Sequence, residues 1–257
     1  MKLVRRYVEK PWGRTALPAM FEAPQGKRIG EVWFEGSPDL PLLAKYIFTS
    51  ERLSIQVHPS DVEARARGLE QGKTECWLIL DGEPGATIGL GTRFPLSAPT
   101  LRDAALDGSI EHLLEWRPVR AGDFYFVPAG TVHAIGAGVS LLEFQQNSDV
   151  TYRLYDYGRP RELHLGDGVA VASAEPYPEA LMQHLGDEDE RSLVDGPHFS
   201  LIHTHSDALQ GRRRWVIPLS GTVQSGGDIA GPGECLLLNP SDQLACDNAR
   251  LLIGARK

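Results

Sequence analysis

Short β-type runs broken by turn residues set the tightest limit on what this chain can fold into. IGEVWF (29–34), LLAKYIFTS (42–50), RLSIQVH (52–58), ECWLIL (75–80), DFYFVPA (123–129), VSLLEF (139–144) and TYRLYDY (151–157) follow one another, with Gly, Pro, Asp or Asn in most of the gaps. Runs of this length and punctuation predict a β-sandwich or barrel. Helical signals are few. Ser60-Asp61 can cap VEARARGL, and 97–116 reads as two short helices broken at Asp107-Gly108.

From about residue 160 the texture changes. RPRELHLGDG is loop-like, and PYPEALMQHLGDEDERSLVDG is acidic and reads as partly helical. Strands resume at HFSLIHTH (198–205) and continue through RRWVIPLSG, GECLLLNP and ARLLIGA. A boundary is therefore expected near 165–175, with a smaller all-β unit behind it. The 257 residues suffice for one large domain or two small ones.

The net charge of −8 provides no basic field for nucleic acid or an anionic membrane. The one basic run, Arg212-Arg213-Arg214, follows Gly211 and reads as a solvated turn. Cys76, Cys235 and Cys246 form neither a disulfide framework nor a CxxC metal clamp. MKLVRRYVEKPWGR has no apolar core of signal-peptide length, and no stretch approaches the roughly 18 apolar residues of a membrane span. These features make a cytoplasmic location the expectation.

Three segments carry chemistry. In LSIQVHPSD (53–61), strand alternation puts Ser54, Gln56 and His58 on one face and Ile55 and Val57 on the other. In GKTECWLIL (72–80), Lys73, Glu75 and Trp77 share a face opposite Thr74 and Cys76. In GDFYFVPAGTVHAIGAG, Gly122 is followed by five residues, Pro128, one residue, Gly130, two residues and His133. That spacing resembles the second motif of the cupin superfamily, small jelly-roll β-barrels that hold a metal inside. The first cupin motif usually supplies two histidines one residue apart and then a glutamate. Here Gln56 and His58 stand in for the pair, Glu75 follows after a longer gap, and Ala137 occupies the place of the usual final Asn.

QVHPSD, GKTECW, VPAGTVHAIGAG and LEFQQNSDVTYRLYDYGRP closely resemble type I mannose-6-phosphate isomerases, particularly the short bacterial form. KPWG (10–13) and GEVW (30–33) fit the same pattern, and the resemblance is strongest over 1–165. It implies an all-β double cupin with short helical insertions: a catalytic metal-binding barrel over 1–170 and a smaller, degenerate one over 171–257. It implies an enzyme, an aldose–ketose isomerase interconverting D-mannose 6-phosphate and D-fructose 6-phosphate through an enediol, with a small sugar phosphate as its partner.

Carried over residue by residue, the resemblance implies one zinc bound by Gln56, His58, Glu75 and His133. Two imidazoles, a carboxylate and an amide oxygen suit that ion, and a single charged ligand leaves it about one unit positive. The catalytic groups implied are Lys73, Glu143 and Arg153. Lys73 shares its face with Glu75 and should project beside the metal; either Lys73 or Glu143 can be the proton-transfer base. For the phosphate, the resemblance brings Lys45, Ser54 and Arg159 to one end of the pocket. Trp12 reads as packing, and Ser148 and Asp149 as turn residues.

His203-Thr204-His205 looks like a second metal pair, but GECLLLNPSD has no histidine after Pro240, so 171–257 is read as metal-free. Two rivals stand beside the isomerase: an iron or manganese cupin dioxygenase, and a sugar-binding cupin without turnover. Gln56 in place of the first histidine argues against the former. Retention of the four ligands with Lys73, Glu143 and Arg153 argues against the latter.

Overall fold

The computed structural model describes every residue of the chain except Ala23 and Pro38. Three sheets make up most of it, and all the pairings between their strands are antiparallel. The largest runs in the order Val4–Arg14, Ile29–Glu35, Leu42–Phe48, Val139–Gln146, Glu75–Gly82, Asp123–Val127, Met182–His184. The second runs Tyr152–Tyr155, Ile55–Val57, His133–Ile135, Thr87–Thr92, Leu114–Pro118. The third, at the C-terminal end, is built on the long strands Arg214–Ser225 and Ala245–Arg256.

Alternation along the strands makes the largest sheet the middle layer. One face carries Ile47, Trp77, Ile79, Val127 and Leu141, which pack against Ile88, Leu90 and Ile135 of the second sheet. The opposite face carries Ala44, Cys76, Leu78, Leu142 and Phe144, which meet Phe199, Leu201, Trp215 and Leu252 of the third. Glu75 and Cys76 thus point to opposite layers, as the two-residue period requires. The outer face of the second sheet is covered by helix residues Leu101, Ala104, Ala105 and Ile110. The third sheet keeps a core of its own around Val216, Leu236, Leu251 and Ile253.

Local chemistry accounts for the helices. Ser60 and Glu63 form a reciprocal capping box on Asp61–Ala66. Ser97 caps Ala98–Asp107, and Gly108 ends that helix at φ 83°, a left-handed conformation that suits glycine. The second helix expected over 97–116 shrinks to Ile110–Leu113, and the chain then turns into a strand at Leu114. The acidic stretch expected to be partly helical keeps only one 3₁₀ turn, Glu179–Leu181; Met182–His184 and Arg191–Asp195 are strands. There tertiary pairing outweighs propensity: Met182 lies opposite Tyr125, closing an edge of the middle sheet.

The start of the chain reaches the C-terminal layer. Leu3 N donates to Cys235 O at 2.9 Å, and Lys2 bridges Leu236. Among the described residues, no helix is long and apolar enough to cross a membrane.

Candidate metal centre and its charged cavity

Two sheets bring the metal-binding candidates together. In the second sheet Gln56 pairs directly with His133, and the Gln56 amide nitrogen lies 3.2 Å from His133 Nε2. Glu75 begins its strand in the middle sheet and reaches across from the opposite wall. His58 follows its strand closely, and the insertion after it folds back so that Lys73 N donates to Pro59 O at 3.0 Å. Gly72 permits that return, because a Cβ there would fall 2.3 Å from Pro59 O. The insertion therefore delivers Lys73 Nζ to 3.1 Å from His58 Nε2 and 2.7 Å from Glu75 Oε2.

Each histidine is oriented from behind. His58 Nδ1 donates to Val150 O and His133 Nδ1 to Thr131 O, both at 2.8 Å, which leaves each Nε2 free to face Glu75. His58 Nε2 is 3.5 Å from Glu75 Oε2, and His133 Nε2 is 3.5 Å from Glu75 Oε1. All three side chains are buried, and their ligand atoms lie within 4.8 Å of one another. Donors around a tetrahedral ion with bonds of 2.0–2.2 Å are separated by about 3.4 Å. The His58, Glu75 and His133 donors fit a divalent metal ion.

Electrostatics sets the donors in the protonation states a metal needs. Burial, reinforced by Lys73, pushes His58 down to about 3, and burial likewise lowers His133. Burial alone would raise Glu75, but Lys73 and the two imidazoles outweigh it and hold the carboxyl well below its usual range. Two neutral imidazoles thus face one carboxylate.

Above this floor runs a row of alternating charge. Lys45 lies directly opposite Glu143, and Glu143 opposite Trp77, across three neighbouring strands. Glu143 Oε1 is 3.0 Å from Lys45 Nζ and 3.6 Å from Lys73 Nζ, while Trp77 Nε1 donates to Glu143 Oε2 at 3.2 Å. On the far side of Lys45, Glu31 accepts from Trp33 Nε1 at 2.8 Å and meets Lys10 at 3.2 Å. Burial opposes the charge on Glu31, but Lys45 and Lys10 outweigh it and hold its pKa at about 2. Glu143 moves the other way, raised by burial and by the charge of Glu75.

Lys10, Glu31, Lys45, Lys73, Trp77 and Glu143 help to wall a cavity of about 270 Å³. Of the residues singled out in the sequence, Lys45, Ser54, Gln56, Lys73, Glu75, Glu143 and Arg153 line it. Ser54 Oγ donates to Gln56 Oε1 at 3.2 Å. Arg153 Nη1 donates to Glu162 O at 2.8 Å, and its buried Nε has no hydrogen-bond partner. Trp12 belongs to the core and lines the cavity too, and so does Asp149, which the sequence had suggested was a turn residue. Arg159 is not among the lining residues: it turns to Asp156 Oδ1 at 2.7 Å and to Arg52 O at 2.8 Å. Arg161 lines the cavity instead, held by Asp156 Oδ2 at 2.6 Å. Tyr157 and Gly158, in the turn that precedes both arginines, have positive φ, 54° and 76°. Arg161, Lys10 and Glu31 were not singled out for a role in the sequence, although Lys10 lies within KPWG and Glu31 within GEVW. Away from the cavity, His203 Nδ1 donates to Asp189 O at 2.6 Å and His205 Nδ1 to Ala249 O at 3.2 Å.

Fold and site together define a class: a layered antiparallel β protein with a buried two-histidine, one-carboxylate metal group whose glutamate lines a charged cavity, His58 and His133 lying behind its lining. No family model matches the chain. It is 44% identical over 137 residues to the mannose-6-phosphate isomerase of Streptococcus mutans, covering 51% of this chain and 43% of that one. It is 32% identical over 241 residues to the Bacillus subtilis protein named probable mannose-6-phosphate isomerase GmuF, covering 86% of this chain and 74% of that one. The crystal structure of mannose 6-phosphate isomerase from Bacillus subtilis superposes with a TM-score of 0.82 at 28% identity, over 98% of both chains. The chain belongs to the mannose-6-phosphate isomerase family. Its match spans less than half the length of the Streptococcus mutans relative.

Proposed function

We propose that the protein interconverts D-mannose 6-phosphate and D-fructose 6-phosphate through an enediol, with one zinc held by Gln56, His58, Glu75 and His133. The observation that carries this reading is the position of Lys73, 2.7 Å from the ligand carboxylate of Glu75 and 3.6 Å from a second buried carboxylate, Glu143. Family membership supports the choice of substrate. The all-nitrogen and oxygen donor set favours zinc over a thiophilic ion. When bound, zinc supplies a positive centre that stabilises negative charge developing on the sugar oxygens.

The chain's own residues do the rest. Lys73 and Glu143 flank the floor and move the proton between C2 and C1 of the sugar. Arg153, with an unpartnered Nε at the cavity wall, stabilises the enediolate. Ser54 and Lys45 hold the phosphorylated sugar from the walls. Arg159 contributes through Asp156, which it shares with the cavity-lining Arg161. We read the fold as a double cupin divided at about 170 into 1–170 and 171–257, with Met182–His184 returning to the middle sheet, and the protein as cytoplasmic.

The test is a coupled assay on mannose 6-phosphate with metal analysis, repeated in D₂O. His133→Ala should lose both zinc and turnover, and solvent deuterium should enter at C1 or C2. Stoichiometric zinc and full activity in His133→Ala would remove the ligand assignment. Quantitative transfer of the C2 hydrogen to C1 with no deuterium uptake would favour a hydride shift and end the base roles of Lys73 and Glu143.

A further inference from the structure

Lys10, Glu31, Lys45, Glu143, Lys73 and Glu75 form one ladder of three ammonium and three carboxylate groups, from the partly exposed Lys10 to the metal group. Successive N···O distances are 3.2, 3.6, 3.0, 3.6 and 2.7 Å. At each step one group is shared between two of opposite sign. Glu143 Oε1 is divided between Lys45 and Lys73, and Lys45 Nζ between Glu143 and Glu31. A wall needed only for packing would be served as well by apolar side chains, since burying charges costs free energy that pairing does no more than offset.

We propose that Glu31 is a positioning residue for the isomerase reaction. By holding Lys45 from the far side, it keeps Glu143 available to Lys73. By balancing the lysines, it tempers the hold of Lys45 on the phosphate of the substrate. Without its charge, Lys45 pairs with Glu143 alone and draws that carboxylate from Lys73, while the wall becomes one unit more positive. The two consequences have opposite signs: turnover falls and anion affinity rises. Loss of a merely structural contact gives no such split.

This inference rests on the isomerase reading, so its test includes a measurement that needs no turnover. Glu31→Gln, close in shape, should lower kcat by about tenfold without raising KM for mannose 6-phosphate. Calorimetric binding of inorganic phosphate to the zinc-loaded protein should tighten by about fivefold. Glu31→Asp should return phosphate affinity to the wild-type value and recover part of kcat. Lys10→Met should weaken phosphate binding, which keeps the charge argument testable if Glu31→Gln does not fold. Unchanged phosphate affinity in Glu31→Gln, or equal losses of kcat in Gln and Asp variants, would overturn the proposal. A wild-type protein inert on mannose 6-phosphate would end the functional reading, and the phosphate measurements would then decide the role of Glu31 in charge balance.

Discussion

Lys73 Nζ lies 2.7 Å from Glu75 Oε2 and 3.1 Å from His58 Nε2, so a protein cation rests against two of the atoms offered to the metal. Ammonium and divalent ion repel each other in that space, and Glu143, 3.6 Å from Nζ, is the other carboxylate within reach of Lys73. Metal loading therefore couples to the Lys73–Glu143 contact. Lys73→Met should bind zinc at least as tightly as wild type in a chelator competition, because a like charge has been removed. Its turnover should fall by about 10²–10⁴-fold. Weaker zinc binding in Lys73→Met would contradict this account.

The buried imidazoles make stability depend on pH. Burial holds His58 at about 3 in the folded chain, against an ordinary value of 6.5. Between those values the unfolded chain takes up a proton that the folded chain excludes. Stability therefore rises with pH across this window and is lost as pH falls from about 6.5 towards about 3. With a chelator present, the urea midpoint should drop between about pH 7 and about pH 5, and His58→Gln should flatten that dependence. A slope unchanged in His58→Gln would assign the effect to other groups.

Arg153 should matter most when charge develops on the sugar. Arg153→Met is expected to reduce kcat by about 10²-fold while changing KM far less, since a transition-state contact acts on kcat. Steady-state kinetics at constant zinc occupancy measures the split. A variant with KM raised and kcat intact would make Arg153 a binding residue only.

Packing between the middle and C-terminal layers allows no added atom at Gly254. This glycine lies between Leu201 and Trp215 in its sheet, and a Cβ on it would fall 2.3 Å from Phe144 Cζ. Phe144 is itself wedged between Phe199 and Trp215, with ring centroids at 5.3 and 6.3 Å. Gly254→Ala should cost about 1–3 kcal/mol in denaturant unfolding and leave zinc stoichiometry alone, because Phe144 points away from Glu143 and the cavity. A neutral result would mean that the layers can slide apart to make room.

His58, Glu75 and His133 were named through the family resemblance of QVHPSD, GKTECW and VPAGTVHAIGAG, and the structure brings these three together; short-range rules supplied only part of the pattern. A two-residue period put Gln56 beside His58 and Lys73 beside Glu75, and the spacing from Gly122 to His133 marked the third strand. Strand Thr87–Thr92 escaped because two of the six residues of TIGLGT are glycines, which interrupt a strand pattern. Met182–His184 escaped because its identity as a strand comes from Tyr125, far away in the chain. The choice of Arg161 over Arg159 at the cavity escaped because Arg159 is engaged by Asp156 and by Arg52 O, the latter a partner far away in the chain. Glu31 was hidden for another reason. Its importance lies in which charges meet it across strands, and residue type alone does not reveal that.

The hydrogen bond from Leu3 to Cys235 makes the opening strand wait through most of translation for its last neighbour. By the time His184 leaves the ribosome, every strand of the middle and second sheets and all of the metal group have been made. The layer bearing Phe199 and Trp215 has not. A nascent chain at that stage presents Leu78, Leu142 and Phe144 to water on the back of an otherwise finished sheet, which makes it a natural client for a chaperone. The residues of the site are synthesised before those of the surface that shelters it.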